Sequence, residues 1–329
     1  MYPNTTNTAN KNNTILLTGG AGFIGYHVAM KLLDQGHEVV IVDNFNHYYD
    51  QNLKKARAMR LAIYPNCKII RADIRDIEEM KKIFQENKID KVAHLAAQAG
   101  VRYSLDHPLI YGSTNIQGTL NLLELARQFK IKNFVLASSS SVYGNNDNFP
   151  SREDFRLHTP ASLYAASKQA CELMAHSYHH LYKMNITCLR FFNVYGPWGR
   201  PDMALYIFTD LISKNKPIEV FNYGEAEKDF TYVDDIADGV VSAVSKNLNY
   251  EIINLGNGRP IPLMYYIDLI EKELGCRVEK KMLPAILGDV QKSCADITKA
   301  RELLGYNPKT PVEDGIRKFI TWYKEYYKI

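Results

Sequence analysis

A chain of 329 residues, 46% of them hydrophobic, is long enough for one large α/β unit or for two domains sharing a cleft, and it can bury an ordinary core. The net charge is only +4 and the lysines and arginines are spread along the chain, so there is no nucleic-acid footprint, and acidic small molecules remain possible partners. The five cysteines, Cys67, Cys171, Cys188, Cys276 and Cys294, are odd in number and lack CxxC spacing, which argues against a disulfide framework and against a metal site and fits a reducing cytoplasm.

The first stretch, residues 1–13 (MYPNTTNTANKNN), is polar throughout, with no apolar core for a signal peptide or membrane span, and reads as a disordered leader. In that Asn/Thr-rich run the N-x-T matches at Asn4 and Asn13 read as chance. From Thr14 the pattern is strand, Gly-rich turn, helix, strand: TILLTGG, AGFIGYHVAMKLLDQG, HEVVIVDN. Short apolar runs follow at CKIIRAD, KVAHLAA, NFVLASS and ITCLRFF, with helical periodicity between them. Such alternation implies βαβ crossovers and an α/β, Rossmann-type doubly wound parallel sheet covered on both faces. Residues 14–195 are expected to form this dinucleotide-binding domain, with a returning segment at about 230–260. After YGPWGRP the rhythm changes to a helix, a short strand in PIEVFN, loops and further helices, so residues 196–329 are expected to form mainly a smaller α/β substrate domain. Ligands of open α/β sheets lie beyond the carboxyl ends of the strands, where the motifs should converge.

TGGAGFIG supplies Gly19, Gly22 and Gly25 between a strand and a helix. A turn without Cβ atoms lets the backbone approach a pyrophosphate at a helix N-terminus. Asp43 ends the next strand roughly 20 residues on, placed to accept hydrogen bonds from ribose hydroxyls and to repel a 2′-phosphate, which favours NAD over NADP. Asp73, at the next strand end, either meets the adenine edge or caps the helix that begins near IRDIEEM. Tyr164 and Lys168, four apart in SLYAASKQACELM, share one helix face. A phenol is a poor base by itself, and a neighbouring ammonium favours the phenolate, which makes Tyr164 a plausible general acid/base. Ahead of them stand four serines at a strand end, FVLASSSSVYG.

Together these segments resemble an extended short-chain dehydrogenase/reductase, and most closely the UDP-glucuronate 4-epimerase family of UDP-sugar epimerases. The resemblance is carried by TGGAGFIG, VDNFNHYYDQNLKKARA, HLAAQAGVRYSL, NIQGTLNLLE, ASSSSVYG, YAASK, LRFFNVYGPWGRPDMAL and DFTYVDDIADGV, from near the N-terminus to the last third of the chain. It implies an NAD-dependent enzyme, an isomerase, that oxidises a UDP-sugar at C4 and returns the same hydride to the opposite face of a transient 4-keto intermediate, for surface polysaccharide. Tyr164 would remove the 4-OH proton, Lys168 would bind the nicotinamide ribose, and Ser139 would hydrogen-bond the 4-oxygen. Ser138 falls nearer the cofactor. The resemblance adds Phe23, Ile24, Asn44, Ile74, Leu95, Ala96, Ala97, Asn115 and Phe191 to the cofactor-binding residues. It implies a homodimer through helices near Thr114–Phe129 and Tyr164–Tyr182.

Ser140 and Ser141 stand where related dehydratases and decarboxylases carry carboxylates, so hydroxyls here speak for epimerisation; they could hold the sugar carboxylate out of the alignment that releases CO₂, or simply form a turn. Arg200 and Arg102 are candidates for the diphosphate or the sugar carboxylate, since a guanidinium binds such oxygens bidentately, with ordinary surface arginines as the alternative. Phe221 corresponds to the position that packs on uracil and Asp289 to one that meets the uridine, against readings as a core aromatic and a turn Asp. Two positions depart from the family: Asn193 stands where the glucuronate epimerases usually have Thr, and Lys228 where an Arg commonly binds the UDP phosphate. Both bear on which sugar is held. The alternatives are a 4-epimerase of UDP-N-acetylhexosamine or its uronic acid, a UDP-sugar dehydratase or decarboxylase, and a non-catalytic NAD-binding sensor, against which the intact Ser139, Tyr164 and Lys168 argue.

Overall fold

A computed structural model describes residues 13–145, 148–285 and 290–329. The leader up to residue 12, and Asp289, lie outside the described residues. Seven strands form one parallel sheet: β1 (Thr14–Thr18), β2 (Glu38–Asp43), β3 (Cys67–Arg71), β4 (Lys91–His94), β5 (Asn133–Ser139), β6 (Ile186–Phe191) and β11 (Tyr250–Leu255), in the order β3-β2-β1-β4-β5-β6-β11. This is the doubly wound arrangement expected of the alternating pattern, extended by one strand that arrives late in the chain.

The strands are apolar on both faces because both faces are covered. Ile15, Leu17, Val39, Ile41, Val135 and Ala137 point to one core, shared with helices α1 (Phe23–Asp34) and α9 (Val233–Ser245). Leu16, Val40, Val42, Phe134 and Leu136 point to the other, shared with α3 (Ile77–Asn87), α6 (Gly118–Gln128) and α7 (Leu163–Tyr182). Each fully buried side chain of this size contributes about 1.5–3 kcal/mol before chain entropy is counted. Helix starts follow local chemistry: the Ser162 side chain accepts from Ala165 N at 3.1 Å at the head of α7, and Asp76 accepts from Glu79 N at 3.0 Å at the head of α3. The cap of α3 is therefore Asp76 and not Asp73.

Between α5 (Pro108–Tyr111) and α6 the helix widens into a π turn, Gly112–Gln117. The chain then leaves the large sheet after β6 through β7 (Asn193–Tyr195), which pairs with β10 (Phe230–Tyr232). A C-terminal lobe follows, packed around its own core by α8 (Ala204–Ser213), α10 (Leu263–Leu274) and α12 (Val312–Tyr327). Its strand β8 is shorter than PIEVFN suggests: it covers Ile218–Val220, and Asn222 and Tyr223 then take φ of 51° and 50°, which turns Phe221 out of the strand. No helix among the described residues is long and apolar enough to cross a membrane, and among them no group of three or more His, Cys, Asp or Glu could hold a metal ion.

Candidate active site

The carboxyl ends of β1, β2, β4 and β5 open into one cavity of about 350 Å³. Its walls bring together Gly19, Gly22, Phe23, Ile24, Gly25, Asp43, Asn44, Ile74, Leu95, Ala96 and Ala97 at one end. Ser138, Ser139, Ser140, Ser141, Tyr164, Lys168, Phe191, Asn193 and Arg200 stand at the other.

The Gly-rich turn fits a dinucleotide first because it fits itself. A Cβ on Gly19, whose φ is +74°, would stand 2.7 Å from Ala96 N, and one on Gly25 would stand 2.1 Å from Gly19 O. Gly22 is the N-cap of α1, so the unpaired N–H groups of that helix face the cavity. The Asp43 carboxylate is buried and is held by the turn it serves: Oδ2 accepts from Ala21 N at 3.1 Å and Oδ1 from Phe45 N at 2.9 Å. Burial raises its pKa, opposed by the Phe45 N–H and by the nearby Lys54 ammonium. The glycine cradle, the helix N-terminus and an acid at the second strand end are the parts an adenine dinucleotide requires.

Two expected cofactor residues do not form the cavity wall. Asn115, in the π turn, is buried and pinches the backbone of residue 98: Oδ1 accepts from Gln98 N at 2.8 Å and Nδ2 donates to Gln98 O at 3.0 Å. Its Nδ2 also reaches Ser167 Oγ at 2.9 Å, so it fixes the segment that lines the cavity against α7. Asp73 accepts from Asn44 Nδ2 at 2.9 Å and from Arg75 N and Nε, both at 2.9 Å. Burial raises its pKa, but the Arg75 guanidinium and Asn44 prevail and hold it at about 2.

The serine run resolves by parity. Along β5 the side chain of Ser138 falls on the same side as Phe134 and Leu136, toward α7, and its hydroxyl donates to Glu172 Oε1 at 2.5 Å. Ser138 thus lines the cavity while its proton is turned away from it. Glu172 in turn accepts from Arg190 Nε at 2.9 Å and NH2 at 2.8 Å, and Arg190 NH1 donates to Tyr143 OH at 3.0 Å. Both ends of that ion pair are buried, so removing one leaves an uncompensated charge, typically a loss of about 3–5 kcal/mol. Ser139 Oγ accepts from Ser141 N at 3.2 Å and donates to Ser141 Oγ at 3.1 Å, capping the short 3₁₀ turn Ser140–Tyr143. Lys168 Nζ donates to Ala137 O at 2.8 Å with one of its three N–H bonds. Tyr164 lies on the same face of α7 one turn earlier.

Below Lys168 sits His94, fully buried, its ring nitrogens 2.7 Å from Thr18 Oγ1 and 3.0 Å from Thr119 Oγ1. Burial, with the Lys168 charge added, lowers its pKa to about 3.

A second cavity of about 910 Å³ shares Asn193, Val194, Arg200 and Met203 with the first and extends into the C-terminal lobe, and Arg102, Phe221 and Lys228 line it as well. The Arg102 guanidinium stands 4.9 Å from the Phe221 ring centroid. Phe221 is therefore a wall of this cavity rather than a core aromatic. Nor is Arg200 an ordinary surface arginine: Nε donates to Asp202 Oδ1 at 2.9 Å, NH2 bonds Oδ2, and Tyr48 OH donates to Asp202 Oδ2 at 2.8 Å. Asn193 Oδ1 accepts from Ser293 Oγ at 3.2 Å.

Sequence reasoning missed Lys54, Arg57, Glu172 and Arg190. Lys54 lines the cavity beside Asp43, with Nζ 2.6 Å from Asn46 Oδ1, and burial lowers its pKa to about 8. Glu172 could have been found: it follows Lys168 by four residues on one helix face.

Residues 15–256 match the family described as NAD dependent epimerase/dehydratase. A UDP-glucuronate 4-epimerase of Thermodesulfobacterium geofontis is 45% identical over 311 residues, 94% of this chain and 96% of the relative. The crystal structure of UDP-glucuronic acid 4-epimerase from Bacillus cereus, in complex with UDP-glucuronic acid and NAD, superposes with a TM-score of 0.91 at 36% identity, covering 95% of this chain and 100% of that one. A UDP-glucose 4-epimerase of Thermotoga maritima, solved with UDP-glucose, superposes with a TM-score of 0.87 at 34% identity over 95% of this chain and 99% of that one.

Proposed function

Because the chain belongs to the NAD dependent epimerase/dehydratase family, we propose that it is an NAD-dependent 4-epimerase of a UDP-sugar, interconverting UDP-glucuronate and UDP-galacturonate. The observation that carries this reading is the row of hydroxyls, Ser139, Ser140 and Ser141, opposite Tyr164 and Lys168 in the cavity that also holds the Gly-rich turn. Gly19, Gly22, Gly25, Asp43, Asn44 and Ile74 would hold the adenosine and pyrophosphate, with Leu95, Ala96, Ala97 and Phe191 toward the nicotinamide. Bound there, the nicotinamide ring supplies a reversible hydride acceptor for the sugar C4.

Tyr164 takes the proton of the 4-OH as the C4 hydrogen leaves as hydride, and gives it back when the rotated 4-ketose is reduced on its other face. Ser139 donates to the 4-oxygen, exchanging its bond to Ser141 Oγ for one to the sugar. The remaining N–H bonds of Lys168 serve the ribose and the Tyr164 oxygen. Oxidation at C4 makes a uronic acid a β-keto acid. Neutral hydroxyls at Ser140 and Ser141 hold its carboxylate without supplying the acid/base group that decarboxylation or elimination needs. Arg102, Arg200, Lys228 and Phe221 receive the uridine diphosphate, and Asn193 stands toward the sugar. A UDP-N-acetylhexosamine substrate is favoured by one observation, the Asn193 amide beside Ser293 in place of a threonine. The enzyme is proposed to act in the cytoplasm as a homodimer, which fractionation and sedimentation check.

The deciding assay is product analysis from UDP-glucuronate with purified protein and no added NAD⁺. UDP-galacturonate is expected; its absence together with turnover of UDP-N-acetylglucosamine overturns the substrate assignment.

A further inference from the structure

The loop that carries Arg200 is held by its backbone, and the side chains holding it come from the cofactor side of the molecule. His27, on α1 just beyond the Gly-rich turn, places Nε2 2.9 Å from Pro197 O and Nδ1 3.0 Å from Asp234 Oδ1. Arg57, on α2 (Gln51–Leu61), is fully buried, and its NH2 donates to Trp198 O at 2.5 Å and to Gly199 O at 3.3 Å. Three successive carbonyls, at 197, 198 and 199, are thus taken by two side chains, and Trp198 accepts a φ of 61° in the process.

The other end of Arg57 is equally specific. NH1 donates to Ala21 O at 2.9 Å and to Tyr49 OH at 2.7 Å. Ala21 is in the Gly-rich turn, and the N–H of the same residue is the one that Asp43 Oδ2 accepts. The guanidinium has no carboxylate within ion-pair distance among the described residues, and its Nε is buried without a partner. A buried arginine that leaves a donor unmade to reach four acceptors on three segments is constrained by those acceptors rather than by the core. Carbonyl oxygens at these distances recognise a planar fork, which lysine lacks.

We propose that Arg57, assisted by His27, is a positioning residue that couples the two binding sites: ordering of the Gly-rich turn by the dinucleotide fixes the backbone that presents Arg200 to the UDP-sugar, and occupancy of Arg200 tightens the hold on the dinucleotide. The coupling is reciprocal by linkage. It rests on the UDP-sugar reading above.

The test uses the holoenzyme and follows exchange of bound NAD⁺ into an excess of labelled NAD⁺, with and without saturating UDP. In the unaltered protein UDP should slow exchange about fivefold or more. Arg57→Lys should reduce that ratio to near one, and His27→Ala should give an intermediate ratio. A variant that merely loosens the fold speeds exchange by the same factor in both conditions and leaves the ratio intact. An unchanged ratio in both variants overturns the coupling, as does a ratio of one in the unaltered protein that binds UDP. If Arg57→Lys does not fold, His27→Ala decides alone. Absence of saturable UDP binding to the unaltered holoenzyme, measured by calorimetry, overturns the UDP-sugar reading itself.

Discussion

Around the Gly-rich turn the wall of the first cavity is backbone, packed so closely that Gly19 and Gly25 leave no room for a methyl group, whereas the wall of the second cavity includes the ends of Arg102, Arg200, Phe221 and Lys228, carried on separate segments. A wall made of backbone admits one occupant shape and fails as a whole. A wall made of long side chains can be re-cut one residue at a time, and that is how a single architecture comes to serve different sugars on a common cofactor. Tyr164, Lys168 and Ser139 line the first cavity together with Asn193 and Arg200, which the second cavity shares.

Breaking the backbone wall should have the largest effect. In Gly25→Ala the new Cβ must displace Gly19 O, which a peptide cannot yield cheaply. The purified variant is expected to carry no NAD, measured by release on acid denaturation; full retention would show that the wall gives more than its packing implies. At the far end of the same cavity, Tyr164→Phe should keep its NAD and lose about 10²–10⁴-fold in kcat. A fully active variant would sink the proton-transfer assignment.

The third prediction concerns His94 beneath the cofactor half. The folded protein binds its proton only near pH 3, whereas the unfolded chain binds it near 6.5. Between those values the unfolded state holds the extra proton, so stability falls as the pH falls, by about 1.4 kcal/mol per pH unit. Urea unfolding from pH 6 to pH 4 should show a slope in the natural protein that is steeper by one proton than the slope of His94→Gln. Equal slopes would mean that His94 is not held neutral. The smallest effect belongs to the side-chain wall: Phe221→Leu removes the ring under Arg102 and should raise the KM for the UDP-sugar by about 5–10-fold with kcat nearly unchanged, the scale of one aromatic contact. A loss in kcat instead would move Phe221 into the chemistry.

The same difference governs what could be read without coordinates. Gly19, Gly22, Gly25 and Asp43 were legible because strand, turn, helix and strand are contiguous, and Tyr164 with Lys168 because a helix fixes residues four apart. Asp76 rather than Asp73 as the cap of α3 was also there to be read, since Glu79 stands three residues after Asp76 in the spacing of a capping box. Counting back along β5 would have sent Ser138 to the α7 side. Lys54 and Arg57 were not legible in this way. They lie on a helix of low apolar content, where cations normally face water; Lys54 is buried against Asn46 and Tyr49, and Arg57 against residues 198 and 199, which fold across it from more than a hundred positions away. The turn at Phe221 depends likewise on positive φ at Asn222 and Tyr223, which the apolar run preceding them does not announce.

One consequence of the loop's location is optical. The chain has two tryptophans, and both are at this place: Trp198, in the clamped loop, has its ring centroid 5.3 Å from that of Trp322 on α12 and 5.3 Å from that of Tyr326, with Arg60 over its face at 5.4 Å. Every photon of indole emission from this protein originates within one side chain of the peptide that carries Arg200, so the protein has a built-in fluorophore pair for following that peptide, with no label attached.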